Sequence, residues 1–173
     1  MGRRQIDVKD VSVNPFTAVG RDWMLLAAGN ESDGSNAMTV SWGHLGAIWG
    51  SSDPTVVVYV RPQRYTKVFL DRETKFTLSA FPADRKAALT YMGTHSGRDG
   101  DKAAAAGLTP VYFDGTVGFA EASLTFVCEK IYTGQIREEG FLDKSILSKN
   151  YPLKDYHTMY VGRVTAVYEK TEP

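Results

Sequence analysis

Apolar and polar residues alternate along several short stretches of this chain, which is the pattern of β-strands rather than helices. The clearest stretch is residues 36–43, where Met38, Val40 and Trp42 are large and apolar and the residues between them are small or hydroxylic. A half-exposed strand ordinarily carries charged residues on its wet side. The small side therefore indicates either a face on which a flat ligand lies, or a strand covered by a loop or a subunit contact.

Five further stretches have strand patterns: residues 22–28, 55–60, 76–81, 116–136 and 159–169. The turn-forming residues 29–35 join the first of these to residues 36–43 as a hairpin. Residues 55–60 are apolar on both faces and β-branched, which predicts a central strand buried on both sides. Gly162 in the last stretch indicates a bulge or a close backbone approach.

The helices are predicted to be short. One follows Thr66 through residue 71, one covers residues 83–92 with Gly93 just past its end, and an Ala-rich turn follows Lys102. Another short helix is expected near 143–148, and the Gly-rich residues 43–50 are expected to form a flexible loop. These patterns predict an all-β chain with short helices, a six-stranded antiparallel Greek-key barrel in one domain over residues 1–173.

Charge and composition narrow the functional classes. Lys plus Arg and Asp plus Glu both number 20, so no general field attracts nucleic acid or an anionic membrane. No apolar run approaches the roughly 20 residues that span a bilayer. Cys128 is the single cysteine, which excludes an internal disulfide and suits a reducing compartment. We therefore expect a cytoplasmic protein without a metal, because the three histidines also lack zinc-like spacing.

The junction between residues 55–60 and the helix after Thr66 is the strongest candidate for chemistry. Arg61, Arg64, Thr66 and the free N–H groups of a helix start meet within six residues, and together they suit a phosphate. The alternative is an exposed turn with solvated arginines. A second polar set comprises Ser96, Gly97, Arg98 and Lys102. It matches neither a P-loop nor a nucleophile elbow, and it is either a second anion contact or a capped, solvated loop.

Taken together, these segments resemble the flavin reductase-like proteins with an FMN-binding split barrel, especially the flavoredoxin-type branch. The resemblance rests on residues 36–42, on residues 61–66, on residues 96–99 with Lys102, and on residues 157–164. The last segment matches the family pattern of His, four residues, Gly, any residue, Val. The four segments occur in the expected order over about residues 20–168.

The resemblance implies a homodimer of split barrels with FMN near the subunit interface. It places the flavin ring and ribityl chain beside Asn36, Met38, Thr39, Ser41 and Trp42. It places the phosphate end near Arg61, Arg64, Tyr65 and Thr66, with further polar contacts from Ser96, Gly97, Arg98 and Lys102. Ser79 stands where many relatives carry Asn at a flavin-facing strand end.

The same resemblance places His157 near the nicotinamide of NADH or NADPH as the catalytic residue. Relatives usually carry Gly-Asp directly before this histidine, whereas this chain carries Asp155 and Tyr156. A histidine with a purely structural role in the last strand is the alternative.

Three functions follow as hypotheses. The first is an FMN-dependent oxidoreductase that transfers a hydride from NADH or NADPH to flavin, which then reduces free flavin or a redox partner protein. The second is an FMN electron carrier with little direct nicotinamide activity. The third is a non-redox barrel that binds another phosphorylated aromatic ligand. Flavin chemistry needs no protein acid–base pair, and no recognisable catalytic pair occurs in the sequence.

Overall fold

The computed structural model describes residues 2–50 and 52–171. Within them lie ten strands: β1 Arg3–Ile6, β2 Met24–Asn30, β3 Gly34–Val40, β4 Gly43–Ala47, β5 Pro54–Val60, β6 Lys75–Ala80, β7 Pro110–Phe113, β8 Thr116–Phe119, β9 Leu124–Gln135 and β10 Thr158–Lys170. The α-helices are α1 Pro15–Ala18, α2 Thr66–Arg72, α3 Lys86–Thr94, α4 Lys102–Ala105 and α5 Ser145–Asn150. Short 3-10 turns lie at Val8–Asp10, Ala83–Arg85 and Glu138–Gly140.

One antiparallel sheet carries most of the chain. Its strands follow the order β3-β2-β6-β9-β10-β5-β4, and β1 pairs with β10. The pairings of β2 with β6 and of β5 with β10 join strands that are distant in sequence, as in Greek-key connections. Side chains from β2, β3, β5, β6, β9 and β10 meet in a single interior cluster, so the sheet curls around its own core. The β7–β8 hairpin forms a separate two-stranded sheet.

The predicted fold class is confirmed, although the described residues contain more strands than the six expected. The six predicted strands correspond to β2, β3, β5, β6, β9 and β10, which build the barrel. The predicted loop at 43–50 was wrong in part, because Gly43–Ala47 forms β4 along the edge of β5. The glycines in this segment are typical of a loop, and most residues of β4 are exposed. The strand forms because it pairs with β5.

Helix α3 covers the small face of β3 at Ala37, whereas Thr39 both contacts α3 and lines a cavity. Ala37 packs with Leu89 and Met92 of α3 in a second apolar cluster. The Thr39 hydroxyl donates to the Leu89 carbonyl. The small residues let a helix approach the strand, as in the alternative of a covered strand, while Met38 and Val40 face the barrel interior.

Helix α3 begins and ends later than predicted. Residues 83–85 form a 3-10 turn, and the helix then runs from Lys86 to Thr94, so Gly93 lies inside it rather than past its end. The glycine is needed for close packing, since a Cβ there would lie 3.3 Å from the Cβ of Thr39. The prediction for Gly162 is confirmed: the β9–β10 register shifts there, and a Cβ would lie 2.5 Å from Phe76 Cζ.

Candidate functional site

Two adjoining cavities lie where the ends of β3 and β5 meet the start of α2. The first, of about 200 Å³, is called the Trp42 cavity; its lining is Met38, Thr39, Val40, Ser41, Trp42, Tyr59, Arg61, Arg64 and His157. The second, of about 180 Å³, is called the Thr66 cavity; its lining is Met38, Gln63, Arg64, Tyr65, Thr66, Thr94, His95, Ser96, Gly97 and Lys102. Met38 and Arg64 line both cavities, so the two adjoin, and together they are called the groove.

Hydrogen-bond donors concentrate in the Thr66 cavity. Thr66 opens α2, whose N-cap residue Tyr65 makes no side-chain cap, while the N–H groups of Lys67 and Val68 donate to the carbonyls of Arg64 and Tyr65. The buried Thr66 hydroxyl accepts a hydrogen bond of 2.8 Å from the Asn36 amide. Arg64 donates to the Gly93 carbonyl over 2.8 Å, which holds the guanidinium between α2 and α3. These groups suit an anion.

The loop after α3 forms the outer wall of the Thr66 cavity. Gly97 lies so close to the opposite wall that a Cβ there would be 2.2 Å from Asn36 Oδ1 and 3.2 Å from Tyr65 Cδ1. Arg98 does not line the cavity, because its guanidinium stacks 4.5 Å above the Tyr65 ring. The Ser96 hydroxyl accepts a hydrogen bond from the Arg98 backbone N–H and tightens this turn.

Lys102 is the buried cation of the Thr66 cavity. Its Nζ donates to the carbonyls of Met92 and His95 over 3.0 and 3.1 Å, so one of its three N–H bonds remains for a ligand. Burial and the nearby Arg64 lower the pKa of Lys102 to about 8. The amine therefore carries its charge at neutral pH and loses it under mildly alkaline conditions.

Aromatic rings dominate the Trp42 cavity. The His157 ring lies 4.6 Å from the Trp42 ring, centroid to centroid, and its Nδ1 is 2.8 Å from the Tyr151 hydroxyl. His157 is 6% exposed, and burial together with the positive charge of Arg61 lowers its pKa to about 4. The imidazole is consequently neutral at pH 7.

The structure places Arg61 beside His157 in the Trp42 cavity rather than in the Thr66 cavity. Its guanidinium lies 5.1 Å above the Tyr151 ring, pairs with Asp155 over 2.6 Å and donates to the Asn150 carbonyl. Hydrogen bonds from Gln63 and Arg61 lower the pKa of Asp155. The Asp155 that departs from the usual family pattern thus fixes the arginine.

The groove gathers most of the predicted site residues. Those that line it are Met38, Thr39, Ser41, Trp42, Arg61, Arg64, Tyr65, Thr66, Ser96, Gly97, Lys102 and His157, and Asn36 supports it through Thr66. Ser79 is not brought there, since its buried hydroxyl donates to Thr125 inside the sheet. The sequence patterns missed Tyr59, Tyr151 and Asp155. Tyr59 falls on a strand pattern, whereas the other two lie in a polar stretch without periodicity.

Within the described residues, no group of His, Cys, Asp or Glu side chains could hold a metal ion. No helix in this part of the chain is long and apolar enough to cross a membrane. Cys128 lies fully buried among apolar side chains of the barrel, and this burial raises its pKa. The thiol therefore stays protonated and belongs to the core.

The chain belongs to the family of the flavin reductase like domain, which matches residues 17–173. Flavoredoxin from Methanosarcina acetivorans superposes with a TM-score of 0.68 at 18% identity. The matched region covers 96% of this chain and 76% of the flavoredoxin chain. Flavoredoxin of Desulfovibrio vulgaris (Miyazaki F) has a TM-score of 0.66 at 21% identity, and the match covers 95% of this chain and 77% of that flavoredoxin. The styrene monooxygenase flavin reductase from Pseudomonas putida S12 has a TM-score of 0.61 at 20% identity, and the match covers 88% of this chain and 81% of the reductase.

A search of curated proteins finds no match to this chain. The structural likeness establishes the split-barrel fold of the flavin reductase-like proteins, with flavoredoxins among the neighbours. The family membership and the fold were both expected from the four sequence segments, and both are confirmed.

Proposed function

We propose that the chain binds FMN along the groove formed by the Trp42 and Thr66 cavities. The observation that carries the proposal is that the two cavities adjoin and share Met38 and Arg64 in their linings. One end offers two cations and hydroxyl donors for a single phosphate, and the other offers aromatic walls for a flat ring. Gly97 lets the loop after α3 pack directly against Asn36 and Tyr65, and the donors and rings that line the two cavities fit this cofactor.

Individual residues would hold different parts of the cofactor. Arg64, Thr66, Ser96 and Lys102 would bind the phosphate, while Met38, Thr39, Ser41 and Trp42 would line the ring and chain. Tyr65 and Asn36 would fix the geometry of these walls. A bound flavin supplies the hydride chemistry that no side chain of the protein can provide.

We further propose an NAD(P)H:flavin oxidoreductase in which NADH or NADPH donates the hydride. His157 would orient the nicotinamide through a neutral imidazole, because its pKa of about 4 keeps the ring uncharged at pH 7. Arg61 would add a fixed positive charge at the same end of the groove, since Asp155 and two aromatic rings hold it in place. The protein's part is to orient the ligands and to shape the electrostatic field.

An FMN electron carrier with little nicotinamide activity is the second candidate. The low exposure of His157, 6%, favours it, because little of the imidazole surface is available to a second ligand. In that case a redox partner protein would collect the electrons directly. The structural neighbours include proteins named for each role, flavoredoxins and a flavin reductase.

The test begins with the colour and the released cofactor of the purified protein. We expect a yellow protein, or one that becomes yellow with FMN, and FMN rather than FAD in the denatured supernatant. A colourless protein that leaves FMN fluorescence unchanged would reject flavin binding. Anaerobic titration with NADH and NADPH then separates the two candidates, because rapid bleaching of bound FMN requires direct hydride transfer.

We also propose a cytoplasmic homodimer of single-domain chains. Beyond Trp42 lies an apolar cavity of about 460 Å³ whose lining includes Phe16, Phe141 and Ile146. Phe16 is 91% exposed and Trp49, two residues after edge strand β4, is 70% exposed. Exposed aromatic surface of this kind marks contacts with other chains. Light scattering should give the dimer mass at micromolar concentration, and Trp49→Lys should shift the mass towards the monomer.

A further inference from the structure

The Tyr151–His157 pair is the buried polar contact at the Trp42 cavity that the proposed function does not yet explain. Tyr151 follows α5, and His157 precedes β10. The hydroxyl of Tyr151 lies 2.8 Å from Nδ1 of His157, and the two rings meet edge-on with centroids 5.6 Å apart. Both residues are buried, at 4% and 6% exposure, so water does not compete freely for this hydrogen bond.

The direction of the hydrogen bond follows from the chemistry of the two groups. The phenol is a neutral acid with a proton to donate, and a neutral imidazole offers one basic nitrogen. Within the described residues, His157 is the hydrogen-bond partner of the Tyr151 hydroxyl. If Nδ1 carried the proton, the phenolic proton would be buried with no acceptor among the described residues, which is unfavourable. Tyr151 therefore donates to Nδ1, and the imidazole proton resides on Nε2.

The charges around the pair favour the neutral imidazole. Arg61 and Arg64 both disfavour a second positive charge at His157, whereas Asp155 favours one. Asp155 is already paired with Arg61 over 2.6 Å, so its influence is largely offset. Burial acts in the same direction as the arginines.

We propose that Tyr151 is a positioning residue: its hydroxyl fixes His157 as the Nε2–H tautomer, so that His157 offers the Trp42 cavity a neutral hydrogen-bond donor. The ligand atom that suits this donor is an uncharged acceptor, such as a carbonyl or carboxamide oxygen. Trp42 packs on the imidazole face and Tyr151 on its edge, so the ring keeps its orientation as well as its tautomer. The identity of the ligand rests on the proposed function, whereas the tautomer does not.

A matched pair of variants separates this role from simple packing. Tyr151→Phe removes the hydroxyl that reaches His157. Tyr156→Phe removes a hydroxyl in the same aromatic cluster, whose ring lies 5.0 Å from Tyr151 but whose oxygen donates to Glu138 over 2.7 Å. The two variants lose the same atom, and only one of them loses the contact with Nδ1.

Long-range ¹H–¹⁵N correlation spectra of the histidine rings test the tautomer directly, with His157→Ala assigning the His157 signals. In the unaltered protein and in Tyr156→Phe we expect an unprotonated Nδ1 and a protonated Nε2. In Tyr151→Phe we expect a mixture of both tautomers. A protonated Nδ1 in the unaltered protein, or an unchanged tautomer in Tyr151→Phe, would overturn the proposal. If Tyr151→Phe does not fold, the spectrum of the unaltered protein decides alone.

The rate of anaerobic reduction of bound FMN by NADH or NADPH tests the positioning role. Tyr151→Phe should slow the reduction by about threefold or more, and it should add no further loss to His157→Ala, because both act through one group. A changed tautomer with an unchanged rate would overturn the positioning role. A protein that neither nicotinamide reduces would overturn the proposed oxidoreductase, while the spectra would still decide the tautomer.

Discussion

The side-chain amide of Asn36 donates a hydrogen bond of 2.8 Å to the hydroxyl of Thr66 and thereby ties β3 to the first turn of α2. The oxygen of the same amide faces Gly97, where a Cβ would lie only 2.2 Å away. One side chain thus sets the distance between three walls of the Thr66 cavity. Its position depends on the absence of a side chain at residue 97.

Gly97→Ala should weaken FMN binding. The added methyl group must displace the Asn36 amide or the Tyr65 ring, and either movement disturbs the donors of the Thr66 cavity. Loss of one such hydrogen bond costs about 1–3 kcal/mol, or roughly 5- to 150-fold in the Kd measured by quenching of flavin fluorescence. Gly140→Ala is the matched control, because no atom lies within 4 Å of a Cβ there. An FMN affinity within twofold of the original in Gly97→Ala would contradict this placement of the cofactor.

Arg64→Ala should discriminate between FMN and riboflavin. If the guanidinium binds the phosphate, its loss should weaken FMN binding by about 1–3 kcal/mol and leave riboflavin, which lacks the phosphate, nearly unaffected. Arg4→Ala removes the same charge from an exposed pair with Glu169 and serves as the control. Equal losses for FMN and riboflavin in Arg64→Ala would mean that the arginine acts on the fold or on the ring end of the groove.

The barrel could be predicted from the sequence because its six main strands carry their own hydrophobic patterns. Elements that depend on contacts with distant parts of the chain could not be predicted in this way. Strand β4 consists largely of exposed residues, and its structure depends on pairing with β5, which lies several residues away. The pattern of β3 left open whether its small residues face a ligand or a covering element, because it records residue size but not what packs on the strand. Helix α3, which covers Ala37 and Thr39, is about fifty residues further along the chain.

The site was predictable where it is local in sequence. Arg64, Tyr65 and Thr66 are adjacent residues at a helix start, and the structure keeps them in one cavity. Arg61 belongs to the same segment but turns towards Asp155, 94 residues away, and no local pattern records that partner. The role of Tyr151 is hidden for the same reason, since only the folding of the segment after α5 brings its hydroxyl to His157.

The lowered pKa of Lys102 predicts that the stability of the ligand-free protein and the affinity for FMN change in opposite directions with pH. In the folded protein this pKa is about 8, below the ordinary value of 10.5, so between these pH values the unfolded chain binds more protons. The contribution of Lys102 to the stability of the ligand-free protein therefore rises with pH across this window. The affinity for FMN should instead fall as pH rises through about 8, because the phosphate keeps Arg64 but loses the positive charge of Lys102.

The measurement is the Kd for FMN between pH 7 and 9, with riboflavin as the ligand control. We expect a loss of about three- to tenfold for FMN and a nearly flat profile for riboflavin, as expected for one charge-assisted hydrogen bond. Lys102→Met should bind FMN more weakly at pH 7 and lose the dependence. A profile in Lys102→Met that is as steep as the original would assign the titration to another group.

His157→Ala should separate orientation of the nicotinamide from support of the barrel. If the neutral imidazole orients the nicotinamide, the variant should keep its FMN affinity and reduce bound FMN about tenfold more slowly, which corresponds to about 1.4 kcal/mol of transition-state positioning. Because the pKa of His157 is about 4, the contribution of His157 to this rate should be constant from pH 6 to pH 8. His44→Ala, which alters an exposed histidine of β4 packed on Tyr59, is the control.

The opposite outcome is equally specific. His157 packs on Trp42 and bonds to Tyr151, so a purely structural histidine would reveal itself through a lower melting temperature and looser FMN, with the reduction rate of bound flavin unchanged. Stopped-flow absorbance at saturating FMN measures that rate independently of affinity. The imidazole is almost fully buried, so the same few atoms would have to serve either role. The loss of reduction rate relative to the loss of FMN affinity distinguishes the catalytic role from the structural one.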